Sequence, residues 1–233
     1  MPSRTSSKLS SYFRYFFYLY VFIGFNVTLS SSYDDFFKAI EFDDTAVMQQ
    51  LLQRGFDPNT PTASLQSPLI LAIQKGSVRV SQVLISSPQL QVNHPNPSDE
   101  TPLMLAALKQ QEALVNALIH RGADVNRPGW TPLHYAASTG HLGIIRLLLE
   151  HHAYLDAESP NGTTPLMMAA HYGTPEATKL LLEEGADPLI RNQLGFSALD
   201  FAGNGPHKAS AAYIKAFVQA AQAKALEQKP SSK

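Results

Sequence analysis

Residues 129–153 read GWTPLHYAASTGHLGIIRLLLEHHA. Four histidines, several hydroxyls and the single tryptophan fall in this stretch. The first question is whether they form a reactive constellation or build a small structural unit. Their order favours building. Thr131 stands where an N-cap belongs, and Pro132 follows at the first helical position, where its missing N–H costs nothing. Leu133, Ala136 and Ala137 share one side, and Gly140 suits a left-handed helix stop. Leu142, Ile145, Leu148 and Leu149 then recur at helical spacing. Two short antiparallel helices are predicted.

The phrase has relatives along the chain. SPLILAIQKGS starts at Ser67, TPLMLAALKQQ at Thr101, TPLHYAASTGH at Thr131, TPLMMAAHYGT at Thr164 and SALDFAGNGPH at Ser197, spaced by 34, 30, 33 and 33 residues. Units close on an echo: RGFDPN (54–59), RGADVN (121–126), EGADPL (184–189). One helix pair cannot bury its own apolar face, whereas stacked copies can, so this period predicts a solenoid.

These phrases resemble the ankyrin repeat family, over roughly Asp34 to Phe217. The resemblance implies an all-α ankyrin-repeat solenoid of stacked helix–turn–helix units with short β-turn fingers. Its divisions are an N-terminal capping repeat at 33–66, four central repeats at 67–196, and a C-terminal capping repeat and helix at 197–228. Residues 229–233 are expected to be a disordered tail. The family pattern also implies that His134 hydrogen-bonds locally and braces its loop.

The first 32 residues are different. Arg4, Lys8 and Arg14 precede an apolar run from Tyr15 to Leu29, small residues follow, and no acid occurs before Asp34. A basic start, a short apolar run and a small-residue exit are the layout of a secretory signal peptide. The run is shorter than the roughly 20 residues that a spanning helix needs. The alternative is an uncleaved anchor, giving a periplasmic adaptor held at the inner membrane. Without residues 1–32 the chain carries 15 basic and 19 acidic side chains, about −4, so no basic footprint marks a nucleic-acid binder. The absence of cysteine suits an exported protein. Leader and array together resemble the exported ankyrin proteins of Gram-negative bacteria.

No catalytic or metal site is predicted, and no cofactor or small-molecule substrate. Adjacent histidines such as His151 and His152 diverge by about 100° on a helix and do not chelate as an i, i+4 pair does. Arg121, His151 and Glu184 occupy one position of successive units, which reads as a mixed-charge surface ladder. Serines and threonines sit at caps, and nucleophile-elbow and phosphate-loop motifs are absent. An enzyme or metal protein with a histidine-based site is the alternative reading.

The expected activity is binding of a protein partner by a monomer. In ankyrin-like units the exposed concave positions precede the Thr-Pro start and the first helix's closing glycine. Here they include Leu108, Lys109, Trp130, Ser138, Thr139, Thr163, His171, Tyr172 and Phe196. Seven residues separate Asp156 from Thr164, but only RPGW lies between Asn126 and Thr131. This shortened finger predicts a notch beside Trp130, lined by Tyr172, His171 and Phe196, with Pro128-Gly129 in a tight turn. Trp130 packing over that turn is the competing expectation.

Overall fold

The computed structural model describes residues 31–206 and 208–227. The predicted leader lies almost wholly outside the described residues, and the predicted tail lies entirely outside them. Helices come in pairs. The first three are α1 (31–41) with α2 (Thr45–Gln53), α3 (Pro68–Lys75) with α4 (Val78–Ser86), and α5 (Pro102–Leu108) with α6 (Glu112–His120). The next three are α7 (Pro132–Thr139) with α8 (Leu142–Glu150), α9 (Pro165–His171) with α10 (Pro175–Glu183), and α11 (Ala198–Asn204) with the long α12 (Lys208–Glu227). Among the described residues the only β pairing is an isolated bridge between Arg191 and Ser197.

Odd-numbered helices from α3 to α11 pack side by side as an inner row, and even-numbered helices form an outer row behind them. Proline opens α3, α5, α7, α9 and α10, as expected where the first N–H has no helical partner. Gly140 closes α7 at φ +72, a left-handed value that suits glycine. Leu69, Leu103, Leu133 and Leu166 from the inner row are fully buried, as are Leu114, Leu118, Ile144, Ile145, Leu148 and Leu181 from the outer row. Each such side chain contributes about 1.5–3 kcal/mol through burial. Ala136, Ala137, Ala169 and Ala170 are equally buried, and their small side chains let inner helices approach closely.

A polar ladder joins the turns that end the outer helices. The Asn59 amide donates to the Gln89 carbonyl (2.8 Å) and accepts from the Gln91 N–H (2.8 Å). Asn126 does the same with His152 (2.7 Å) and Tyr154 (2.7 Å), and Asn93 with Gly122 and Asp124. The next rung is Asp156, which accepts from the Asp187 N–H (3.1 Å) but has no amide hydrogen to return. Burial, together with the nearby Asp187 carboxylate, raises the Asp156 pKa. The folded state therefore holds this proton more tightly than the unfolded chain. That contribution is complete below the unfolded pKa, about 3.9, and is lost as pH rises through the folded value. Asp156→Asn restores the missing donor. It should raise the unfolding midpoint at pH 7 by about 2–4 °C, from one added hydrogen bond of about 1 kcal/mol. The gain should shrink on acidification, and a gain of equal size at pH 3 would refute the explanation.

Candidate partner-binding surface on the concave face

Four of the fingers close in one way. The Thr62 N–H donates to the Gln66 carbonyl (3.0 Å), Asn96 to Glu100 (2.9 Å), Ser159 to Thr163 (3.0 Å) and Asn192 to Phe196 (3.0 Å). The RPGW segment is too short for that ring. Gly129 takes φ +81, the value a type II turn requires at its third position. Arg127 reaches across to the preceding finger instead. Its guanidinium donates to both Asp99 carboxylate oxygens (2.8 Å each) and to the Asp99 carbonyl (2.7 Å).

With the finger shortened, Trp130 comes down onto the start of α7. Its ring meets His134 edge-on at 5.1 Å between centroids and Tyr135 at 6.4 Å, with an interplanar angle of 69° to Tyr135. An open cavity of about 420 Å³ lies beside it, and its accessible lining is mostly apolar. Leu108 of α5, Trp130 and, from α7, His134 and Tyr135 line it. Ser138 and Thr139 further along α7, Met168 of α9 and Tyr172 at its C-cap complete the lining. Trp130 thus packs against the first turn of α7 and lines the cavity.

Of the nine residues expected on this surface, the cavity gathers Leu108, Trp130, Ser138, Thr139 and Tyr172. Lys109 is exposed at the end of α5 but outside the lining, as is the exposed Phe196 in the last finger. His171 does not line it either. Its Nδ1–H donates to the Phe201 carbonyl (3.0 Å), and its ring meets Tyr172 edge-on at 4.3 Å, bracing that side chain from behind. Thr163 corrects the expectation of exposure, being only 3 % accessible. Its N–H is taken by Ser159 Oγ (3.0 Å) and its carbonyl by His134 Nε2 (2.8 Å), so the finger folds this residue inward.

Tyr135 and Met168 were not singled out from the sequence. The signal was available: Tyr135 stands three and four residues before Ser138 and Thr139, and Met168 four before Tyr172, so each shares a helical face. The Tyr135 hydroxyl donates to Glu100 Oε1 (3.1 Å), whose other oxygen accepts from Asn96 (2.7 Å). Burial, and then the Glu100 carboxylate, push the Tyr135 phenol up to about 12, so it stays a donor. The Ser138 and Thr139 hydroxyls bond back to the Tyr135 and Ala136 carbonyls (2.8 and 3.0 Å) rather than to a base.

His134, His141 and His152 serve the scaffold. Nδ1 of His134 accepts from the Thr131 N–H (3.1 Å), which leaves the proton on Nε2 for the Thr163 carbonyl. His141 caps α8 by accepting from the Ile144 N–H (3.2 Å). His152 takes φ +63, where the turns after α2, α6 and α10 use Gly55, Gly122 and Gly185. Among the described residues no three potential ligands gather for a metal ion. The expected charge ladder through Arg121 is also corrected. That guanidinium is occupied by the carbonyls of Ile85, Ser87 and Pro88 (3.2, 3.1 and 2.9 Å), and so holds the end of α4.

Stacked helix pairs with a partly aromatic hollow on the inner row define a repeat-built scaffold. Comparison with known proteins assigns the family. The profile described as ankyrin repeats (three copies) matches residues 36–128 and 126–192, and the chain belongs to the ankyrin repeat family. It is 47% identical over 77 residues to mouse ankyrin repeat and SAM domain-containing protein 6, covering 33% of this chain and 9% of that protein. It is 33% identical over 133 residues to the mouse nuclear factor NF-kappa-B p105 subunit, covering 54% of this chain and 14% of that one. The chain therefore spans only a small part of these relatives. Among solved structures, the human ASB11 ankyrin repeat domain superposes with a TM-score of 0.70 at 26% identity, covering 77% of this chain and 81% of that one.

Proposed function

We propose that this protein is an exported, monomeric protein-interaction module without a catalytic site, whose partner docks on the concave face between α5 and α9. The cavity beneath Trp130 carries the reading. A partly open, mostly apolar hollow beside a half-buried tryptophan and an exposed tyrosine has the composition of an interface centre, where aromatic anchors dominate binding energy. The ankyrin scaffold supports binding as the activity, while the partner is set by surface residues rather than by fold.

Replacing Trp130 and Tyr172 by alanine should weaken capture of the native partner at least about tenfold, the loss of one or two interface anchors. Thermal unfolding should change little for Tyr172→Ala, because that side chain is 61 % exposed. Parallel loss of fold and capture in both variants would assign the pair to the scaffold and refute the reading.

Export rests on the basic, apolar and small-residue succession of residues 1–32 and on the lack of cysteine. Among the described residues no helix is long and apolar enough to cross a membrane. We infer a periplasmic location in a Gram-negative cell, with the leader removed. The mass of the protein recovered from its source tests this: loss of about 32 residues supports cleavage, whereas the full-length mass places the chain on a membrane anchor.

A further inference from the structure

The cavity has a chemical character beyond being apolar. Trp130 and Tyr135 meet at 69°, so their rings form a corner, and Tyr172, which caps the end of α9, lines the same hollow. Met168 and Leu108 complete an apolar surround. Behind the corner lies Glu100, half-buried and bonded to the Tyr135 hydroxyl. Its two carboxylate oxygens are met by neutral donors, Tyr135 and Asn96, while the Arg127 guanidinium is paired with Asp99. The lining thus holds three aromatic rings, and behind it sits a carboxylate that forms no ion pair among the described residues.

That combination selects one kind of guest. Aromatic faces attract cations through their quadrupoles. An apolar surround disfavours a strongly hydrated ammonium, which would give up its water without replacement hydrogen bonds. A quaternary ammonium has no N–H groups to satisfy, and it spreads its charge over methyl groups that pack against rings. A cavity of about 420 Å³ is of the size that encloses such a ligand group. We propose that the hollow bounded by Trp130, Tyr135 and Tyr172 binds a trimethylammonium group, with Glu100 supplying the opposing charge. This rests on the reading of the cavity as a binding site and specifies the chemistry of what enters it.

Trp130 is the single tryptophan, so its emission reports on this cavity alone. The full chain is titrated at constant ionic strength with choline, with a peptide bearing trimethyllysine, and with dimethylbutanol, in which a tert-butyl group replaces trimethylammonium. Choline and the peptide should give saturable changes in emission, the tighter of the two revealing whether the group arrives on a small molecule or on a protein. Dimethylbutanol should bind several-fold more weakly, the discrimination that cation–π contacts provide at an open site. Glu100→Gln keeps the acceptor for Tyr135 and removes the charge. It should weaken choline several-fold and leave dimethylbutanol unchanged. Tyr172→Leu should remove choline binding without lowering the unfolding midpoint. Equal affinity for choline and its uncharged counterpart would make the cavity a plain apolar hollow and overturn the proposal. So would the absence of a saturable response to both trimethylammonium ligands. Partner capture that still depended on Trp130 and Tyr172 would in either case leave the proposed function standing.

Discussion

Between pH 6.5 and pH 4 the protein is expected to lose about 3 kcal/mol of stability through His134 alone. The side chain is fully buried. Burial, acting against the carbonyls of Thr163 and Ala157, lowers its pKa from 6.5 to about 4. In the unfolded chain the imidazole takes up a proton near 6.5. In the folded protein Nδ1 accepts from the Thr131 N–H, so charging the ring puts a proton on a nitrogen that already faces a donor, in a site closed to water. Across that interval the unfolded state binds more protons, so stability is fully present above pH 6.5 and drains away as pH falls towards 4. Below 4 both states carry the proton and the loss stops.

His134→Met isolates this effect, because methionine occupies the same position in the units at Thr101 and Thr164. At pH 7 the variant should be less stable by about 1 kcal/mol, the worth of the lost bond to Thr163. At pH 4 it should be the more stable of the two, so the curves cross. Urea denaturation at half-unit pH steps measures both. Parallel curves would mean that acid sensitivity resides in the carboxylates and that His134 is not its source.

Gly173→Ala should be the most damaging single-methyl change in the array. A Cβ at this position would run into the backbone carbonyl oxygen of Ala137 in the preceding repeat, with the Ala169 Cα and carbonyl each 3.0 Å away on the other side. Backbone on both sides cannot rotate aside, so relief requires α7 and α9 to separate. The expected cost is about 3 kcal/mol, the upper end for overpacking. Because each repeat contacts only its neighbours, residues from Thr164 onward should exchange amide hydrogens faster while the front of the array stays protected. Gly203→Ala provides the contrast. It lies within α11 with nothing near the new methyl, and should be neutral or stabilising by up to about 1 kcal/mol. Similar effects from both substitutions would show that helix propensity, rather than the spacing between repeats, governs these glycines.

Much of this architecture was legible in the residues. The Thr-Pro starts, paired alanines and returning leucines specify helices by local rules, and a period near 33 specifies how the pairs stack. Even the notch beside Trp130 follows from counting finger residues, since missing chain cannot project. The surface itself was read only in part. Thr163 lies at the same repeat position as the exposed Phe196, yet the Ser159 hydroxyl and the His134 ring draw it inward. Arg121 has the composition of a surface charge, but it reaches the bare carbonyls at the end of the neighbouring outer helix.

Periodicity and capping chemistry act between residues a few positions apart, and so the sequence by itself determined the helix pairs, their number and their stacking. Which side chains turn outward, which ring backs another, and where Glu100 meets Tyr135 depend on contacts between residues some 30 positions apart. Those contacts exist only once neighbouring repeats are in register. The tertiary structure therefore decided the shape and charge of the cavity, because both arise between repeats rather than within one.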